Sequence, residues 1–224
     1  MPDKATSLAL RLFATIQRLR VKQNGMRFMG LDPSRADLRQ RALARRAEIP
    51  AGDHERLSRL AAARIAPLIA DGETVALFWP IRGEIDPLSL CETVRGRGGC
   101  VVLPAVIGDD LVFRRFDNAG DLEAGSFGTR QPPADAPECL PDLIVAPLAA
   151  FDRTGGRIGY GGGFYDRYVS QLRGGGHPIR LIGIAFACQE IGAVPLATHD
   201  ERLDAIATER EWVVVDREVT KTRS

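Results

Sequence analysis

Apolar positions along the chain alternate between short continuous runs and longer stretches with helical spacing. Asp32-Pro33-Ser34 has the form of a helix entry and predicts a helix from Arg35 to Ala47, stopped by Ile49-Pro50. From Asp53 to Ala70, the residues Leu57, Leu60, Ala61, Ile65 and Leu68 share one helical face, and Asp71-Gly72 breaks the pattern. Thr74 to Trp79 (TVALFW) is apolar throughout, as in a strand buried on both faces. A helix is expected over 86–95 and strands over 100–103 and 111–116; residues 117–141, rich in Gly, Pro and acids, read as a long surface loop. Leu143 to Ala146 is a second buried strand, followed by a glycine-rich stretch and a helix from Phe164 to Leu172 that stops at Gly174-Gly175-Gly176. Strands over 181–186, 205–208 and 212–215 complete the set.

Strands alternating with helices predict an α/β domain with a mostly parallel sheet, in which ligands collect at the carboxyl ends of the strands. There is no internal repeat. The expected organisation is one catalytic domain over 33–216, an N-terminal extension over 1–32 and a tail over 217–224.

Composition narrows the function. With 224 residues, 45% hydrophobic and 26% charged, the chain can bury a sizeable core unaided. A formal net charge of +1 supplies no global field for nucleic acid, so an anion must be held by a local arrangement. The four cysteines form no CxxC pair and only three histidines exist, which disfavours a zinc site. Scattered cysteines without a signal peptide point to a reducing compartment, the cytoplasm. No apolar run approaches the roughly 20 residues of a membrane helix. In the extension, Lys4, Arg11, Arg18, Arg20, Lys22 and Arg27 face one acid, Asp3, while Leu8, Leu12, Ile16 and Leu19 recur at helical spacing. That pattern fits a transit-like or membrane-surface helix. The preferred expectation is a peripheral or disordered extension, because chain termini are often loosely held.

The chemistry concentrates in Asp152 to Tyr168, DRTGGRIGYGGGFYDRY, between a buried strand and a helix. Gly159, Gly161, Gly162 and Gly163 let a ligand approach the backbone, and successive N–H groups before a helix start converge on an anion. Arg157 adds a possible bidentate phosphate contact. No Gly-Lys-Ser/Thr follows, which excludes a Walker A loop, and Phe164 stands where the last glycine of GxGxxG belongs. The bland alternative is a flexible glycine linker, disfavoured because linkers seldom carry Arg, Tyr and Asp at this density.

Asp166, in the first turn of the helix, suits either a Mg²⁺ ligand facing phosphates or a helix-start acid. Asp204 suits either a second carboxylate or a turn acid. Trp79 and Glu84, in FWPIRGEIDP, suit a stacking platform and an acceptor for ring amines, or else a core tryptophan and a loop acid.

Together these residues resemble the 5-formyltetrahydrofolate cyclo-ligase family. Pro147-Leu148, Phe151-Asp152 and the run Arg157 to Arg167 (RIGYGGGFYDR) are similar to its signature nearly residue for residue. Weaker likeness lies in Leu38-Arg39 with Arg45, in Glu84-Ile85-Asp86, and in Leu203-Asp204 with Thr208-Glu209, so the resemblance spans about 34–215. Arg35 stands where the family often has lysine, a change that alters phosphate geometry though it keeps the charge.

The resemblance implies a three-layer α/β/α fold of the ribose-phosphate isomerase and CoA-transferase type. It implies ATP and Mg²⁺, with ATP phosphorylating the formyl oxygen of 5-formyltetrahydrofolate and N10 closing the ring. Arg157 and Asp166 would take catalytic roles. Arg35, Arg39, Arg157, Gly159, Tyr160, Gly161, Gly162, Gly163, Phe164 and Tyr165 would meet ATP. Trp79, Glu84, Tyr160 and Phe164 would meet the folate, and Asp166 with Asp204 would hold Mg²⁺. The partners implied are these small molecules, with no nucleic acid and no membrane span. Two alternatives are another enzyme of the same fold, which would not need ATP, and a non-catalytic folate- or nucleotide-binding paralogue.

Overall fold

The structure, a computed structural model, describes residues 33–215. The chain separates into two units, Met1–Pro33 and Ser34–Ser224. The expectations for the basic extension and the tail fall outside the described residues.

Helix α1 (Arg35–Ala47) starts as the sequence predicts. Ser34 Oγ accepts from the Asp37 N–H while the Asp37 carboxylate accepts from the Ser34 N–H, a reciprocal cap. Helix α2 (Ala51–Ile65) ends earlier than its hydrophobic pattern. Pro67 cannot continue the helical hydrogen bonding, and the next turn tightens to 3₁₀ over Ala66–Leu68. Helix α3 (Leu90–Gly96) begins later than predicted, because Asp86 Oδ1 accepts from the Leu88 N–H at 2.8 Å and Pro87 follows it in a turn.

Strands β1 (Thr74–Ala76), β2 (Cys100–Ile107) and β3 (Asp110–Arg115) lie on one side of the sheet. Strands β4 (Glu123–Ala124) and β5 (Arg130–Gln131) form a small hairpin inside the predicted loop over 117–141. Strand β6 (Leu143–Pro147) is followed by a hairpin of β7 (Ala150–Phe151) and β8 (Arg157–Ile158). Helix α4 (Phe164–Gly174), β9 (Arg180–Ile184), β10 (Ala205–Ala207) and β11 (Trp212–Val214) close the domain.

The seven-stranded sheet runs β11-β10-β9-β6-β1-β2-β3. Its inner pairings are parallel, and the edge strands β3 and β11 pair antiparallel. Side-chain alternation splits the core into two layers. Val75, Leu77, Leu143, Val145 and Ile182 pack under α2 and α3, whereas Ala76, Ile144, Ala146 and Ile206 pack against Val169 of α4. This is the expected three-layer α/β/α arrangement. From β1 the chain crosses to β2 on one side and later returns through β6 on the other, so β1 and β6 flank the switch point, where such sheets open a ligand crevice.

Candidate active site

The predicted glycine loop divides into two parts with different tasks. Its first half is the β7–β8 hairpin, organised by Asp152, which is 3% exposed. Asp152 Oδ1 accepts from the N–H groups of Thr154 and Gly156, and Oδ2 accepts from the Val194 N–H at 2.7 Å. A signature aspartate is thus spent on turn geometry, and it holds Arg157 at the exit of the hairpin.

Arg157 is buried, and its guanidinium turns inward. Nη2 donates to Asp166 Oδ1 at 2.6 Å, and Nη1 bonds the Glu201 carbonyl. Asp166 Oδ1 also accepts from the Glu201 N–H at 3.0 Å. Through these bonds Arg157 fixes the Asp166 carboxylate at the start of α4. Burial outweighs its acidic neighbours and lowers the Arg157 pKa from its ordinary value.

The second half, Gly159–Gly163, lies beneath one face of α1. Arg35, Arg39, Ala42 and Arg46 recur at spacings of four, three and four, which aligns them on the helix. Arg35 donates to the Arg157 carbonyl at 3.3 Å and pairs with Asp200; Arg39 donates to the Gly159 carbonyl at 3.3 Å; Arg46 donates to the Tyr160 hydroxyl at 3.0 Å. Arg46 escaped the sequence reading, although the spacing from Arg35 and Arg39 carried the signal. Arg45, the residue of the weaker likeness, points elsewhere and donates to the Glu190 carbonyl.

Gly161 and Gly163 hold φ of 104° and 64°, in the region that excludes most side chains. At Gly162 the restriction is space, since a Cβ would lie 2.4 Å from the Phe164 ring. Helix α4 starts at Phe164 with no side-chain cap, so its first N–H groups face the loop unsatisfied by side chains. Arg167, in its first turn, braces the loop by donating to the Gly162 carbonyl at 2.8 Å and stacking on Phe164 at 5.0 Å.

Beside the loop opens a cleft of about 690 Å³ lined by Arg39, Arg46, His54, Arg82 and Tyr160 among others. Glu84, buried at 5% exposure, stands behind Tyr160 and accepts from the Ile81 N–H at 3.0 Å. Burial pushes the Glu84 carboxyl above its usual value, and burial with the nearby Glu84 charge pushes the Tyr160 hydroxyl up to about 12. Trp79, just beyond β1, lies under the Arg130 guanidinium at 5.2 Å and packs on the core.

Two expected site residues have structural partners as well. Tyr165 packs against the α4-side core, edge-on to Phe113 at 6.3 Å, with Arg157 and Glu84 near enough to act on its hydroxyl. Asp204 accepts from the Leu181 N–H at 2.7 Å and from Arg173 at 3.3 Å. Arg173 comes from α4, the helix that carries Asp166 in its first turn. The same guanidinium pairs with Glu201, whose N–H donates to Asp166, so one chain of contacts joins the two carboxylates; among the described residues no group of three or more His, Cys, Asp or Glu gathers as a metal site.

Fold and site define a three-layer α/β protein with its cleft at the carboxyl ends of a parallel sheet. Residues 32–209 match the model of the 5-formyltetrahydrofolate cyclo-ligase family, and the chain belongs to that family of enzymes. The 5-formyltetrahydrofolate cyclo-ligase of Escherichia coli (strain K12) is 32% identical over 180 residues, covering 76% of this chain and 96% of the relative. That of Mycolicibacterium smegmatis is 29% identical over 197 residues, covering 82% and 98%. The structure of Aquifex aeolicus 5,10-methenyltetrahydrofolate synthetase superposes with a TM-score of 0.69 at 27% identity, covering 81% of this chain and 92% of that one. The Mycoplasma pneumoniae synthetase shares the fold, with a TM-score of 0.65 at 23% identity over 79% of this chain and 99% of that one. Among the described residues no helix is long and apolar enough to cross a membrane.

Proposed function

We propose that this chain uses ATP and Mg²⁺ to convert 5-formyltetrahydrofolate into 5,10-methenyltetrahydrofolate, releasing ADP and phosphate. The observation that carries the reading is the meeting of three arginines from one face of α1 with a glycine turn set before the uncapped start of α4. Open N–H groups at a helix start and nearby guanidinium groups form a place for a phosphate chain. Phosphoryl transfer asks for that kind of positioning and charge neutralisation, without a covalent protein nucleophile.

In this reading the Gly159–Gly163 backbone and Arg39 hold the phosphates. The γ-phosphoryl group passes to the formyl oxygen, N10 attacks the activated carbon, and phosphate leaves as the ring closes. Trp79, Glu84, Tyr160 and Phe164 line the folate side, with the buried Glu84 carboxyl available to ring amines. Mg²⁺ would neutralise charge on the phosphates. The donor set suits such an ion at Asp166: the bonds from Arg157 and from the Glu201 N–H both fall on Oδ1, which leaves Oδ2 without a partner among the described residues. Arg157 serves this carboxylate by orienting it. Asp204, which also joins β9 to Arg173, would supply the second carboxylate.

The test is a spectrophotometric assay with 5-formyltetrahydrofolate. Methenyl absorbance should grow only when ATP and Mg²⁺ are both present, with one ADP formed per product. Growth without ATP would overturn the proposal in favour of another chemistry on this fold, and folate binding without any product would favour a binding protein.

A further inference from the structure

Cys100 is the first residue of β2, and its partner across the parallel pairing is Thr74 of β1. The Thr74 carbonyl accepts from the Asp142 N–H at 2.9 Å, and Asp142 stands three residues beyond Cys139. Cys139 itself is tied to β3, where its N–H donates to the Phe113 carbonyl at 3.0 Å. These two fixed points return the end of the β3–β6 connection to the start of β2. Both cysteines pack on the α4-side layer of the core, and their thiols are within hydrogen-bonding reach of each other. The other two cysteines, Cys91 and Cys188, belong to the layer under α2 and α3.

Both thiols of the pair are partly exposed, unlike the buried Cys91. Burial first, and then the neighbouring sulfur, push the Cys100 thiol above its ordinary pKa, while Arg115 opposes them. Cys100 is thus held as a thiol beside a second sulfur that solvent reaches. The pair sits at the starts of the strands, at the opposite end of the sheet from the cleft, so it is separate from the site described above.

We propose that Cys100 and Cys139 are a modification site, a dithiol that closes to a disulfide when it meets a peroxide and reopens when it meets a small thiol. The Cys139 thiolate attacks one peroxide oxygen. The O–O bond breaks, the other oxygen leaves as hydroxide and takes up the proton that Cys139 had lost, and Cys139 becomes a sulfenic acid. The Cys100 sulfur then attacks the Cys139 sulfur, the S–O bond breaks, and hydroxide departs with the Cys100 proton as a second water. Two thiols lose two electrons in all, and the peroxide is reduced to two waters. Two small thiols reverse the closure by exchange and leave as their own disulfide. Where the compartment keeps thiols reduced, such a bond is a transient response to oxidant. The ring it closes takes in β3 and the β4–β5 hairpin, whose Arg130 stacks over Trp79.

The test treats the reduced full chain with hydrogen peroxide and counts free thiols under denaturing conditions. The count should fall from four to two, and the intact mass should fall by two hydrogen atoms. Proteolysis should yield one cross-linked pair of peptides, carrying Cys100 and Cys139, and dithiothreitol should restore all four thiols. The oxidised chain should melt about 5–15 °C higher, since closing a ring of this size restricts the unfolded chain. Cys100→Ser and Cys139→Ser should each form no internal disulfide and show no rise in Tm on oxidation, whereas Cys188→Ser should behave as wild type. A cross-link that persists in either of the first two variants, that uses Cys91 or Cys188, or that joins two chains overturns the proposal. Oxygen addition without a cross-link also overturns it. So does an oxidised form that melts below the reduced one, because a pair that the fold already holds in reach closes without distortion. None of these readouts depends on turnover, so the outcome is separate from that of the folate assay.

Discussion

At Gly161 the backbone holds a φ of 104°, and the space around it is open apart from Arg39 Nη1, 3.5 Å from where a Cβ would stand. Conformation, not crowding, therefore demands glycine here. Gly161→Ala should distort the turn at a cost of roughly 1–2 kcal/mol, and lower kcat/KM for ATP by about tenfold or more. The Tm should change little, since the turn is on the surface. Normal turnover in that variant would remove the turn from the phosphate site. Glu84 presents the opposite situation, an acid whose constraint is burial. Its raised pKa means that, above the ordinary glutamate value, the folded protein keeps a proton that the unfolded chain has lost. Stability from this group is full below the ordinary value and is lost as pH rises through the raised one. Glu84→Gln carries no such loss, so its Tm relative to wild type should improve as pH is raised from about 4 to about 7. A difference that stays constant across that range would mean that the carboxylate is ionised and well solvated in the folded protein.

Among the elements, α1 makes the most specific claim, because its phase decides which arginines serve the site. Arg39 faces the glycine turn and Arg41 is exposed away from it. Losing the Arg39 charge should raise the KM for ATP about tenfold, given roughly 1.5–3 kcal/mol for a charge-assisted hydrogen bond. Arg41→Ala should stay within about twofold of wild type, as exposed substitutions do. Equal effects at both positions would mean that the helix acts through general charge. The sequence showed this helix and its basic character, and its capping residues set the start. It did not show the β7–β8 hairpin, because two-residue strands inside a glycine-rich stretch leave no period to read. Nor did the hydrophobic face of α2 reveal its end, where Pro67 overrode a pattern that continues into Leu68.

For the whole molecule, ligand binding is linked to global stability by mass action. ATP with Mg²⁺ should raise the wild-type Tm, and chelation should shrink the shift. Asp166→Asn should lose most of the Mg²⁺-dependent part. Asp204→Asn should start from a lower Tm, because Asp204 ties the start of β9 to Arg173 of α4, and should also lose part of the Mg²⁺-dependent shift. A full shift in Asp204→Asn would remove Asp204 from the metal site.

The sequence alone determined what depends on local chemistry: the alternation of buried strands and helices, the glycine turn before α4, the acid in its first turn, and the family likeness of Arg157 to Arg167. Tertiary structure decided which charged groups meet. Arg157 turns to Asp166 because the β7–β8 hairpin folds back on α4; Asp204 turns to Arg173 because β10 lies beside β9; Phe127 meets Arg82 because the β3–β6 connection returns to the segment that follows β1. Helical and strand periods assign a residue to a face of its own element. The partner on that face comes from a segment at any distance along the chain, and only the packing of the sheet and its layers brings the two together.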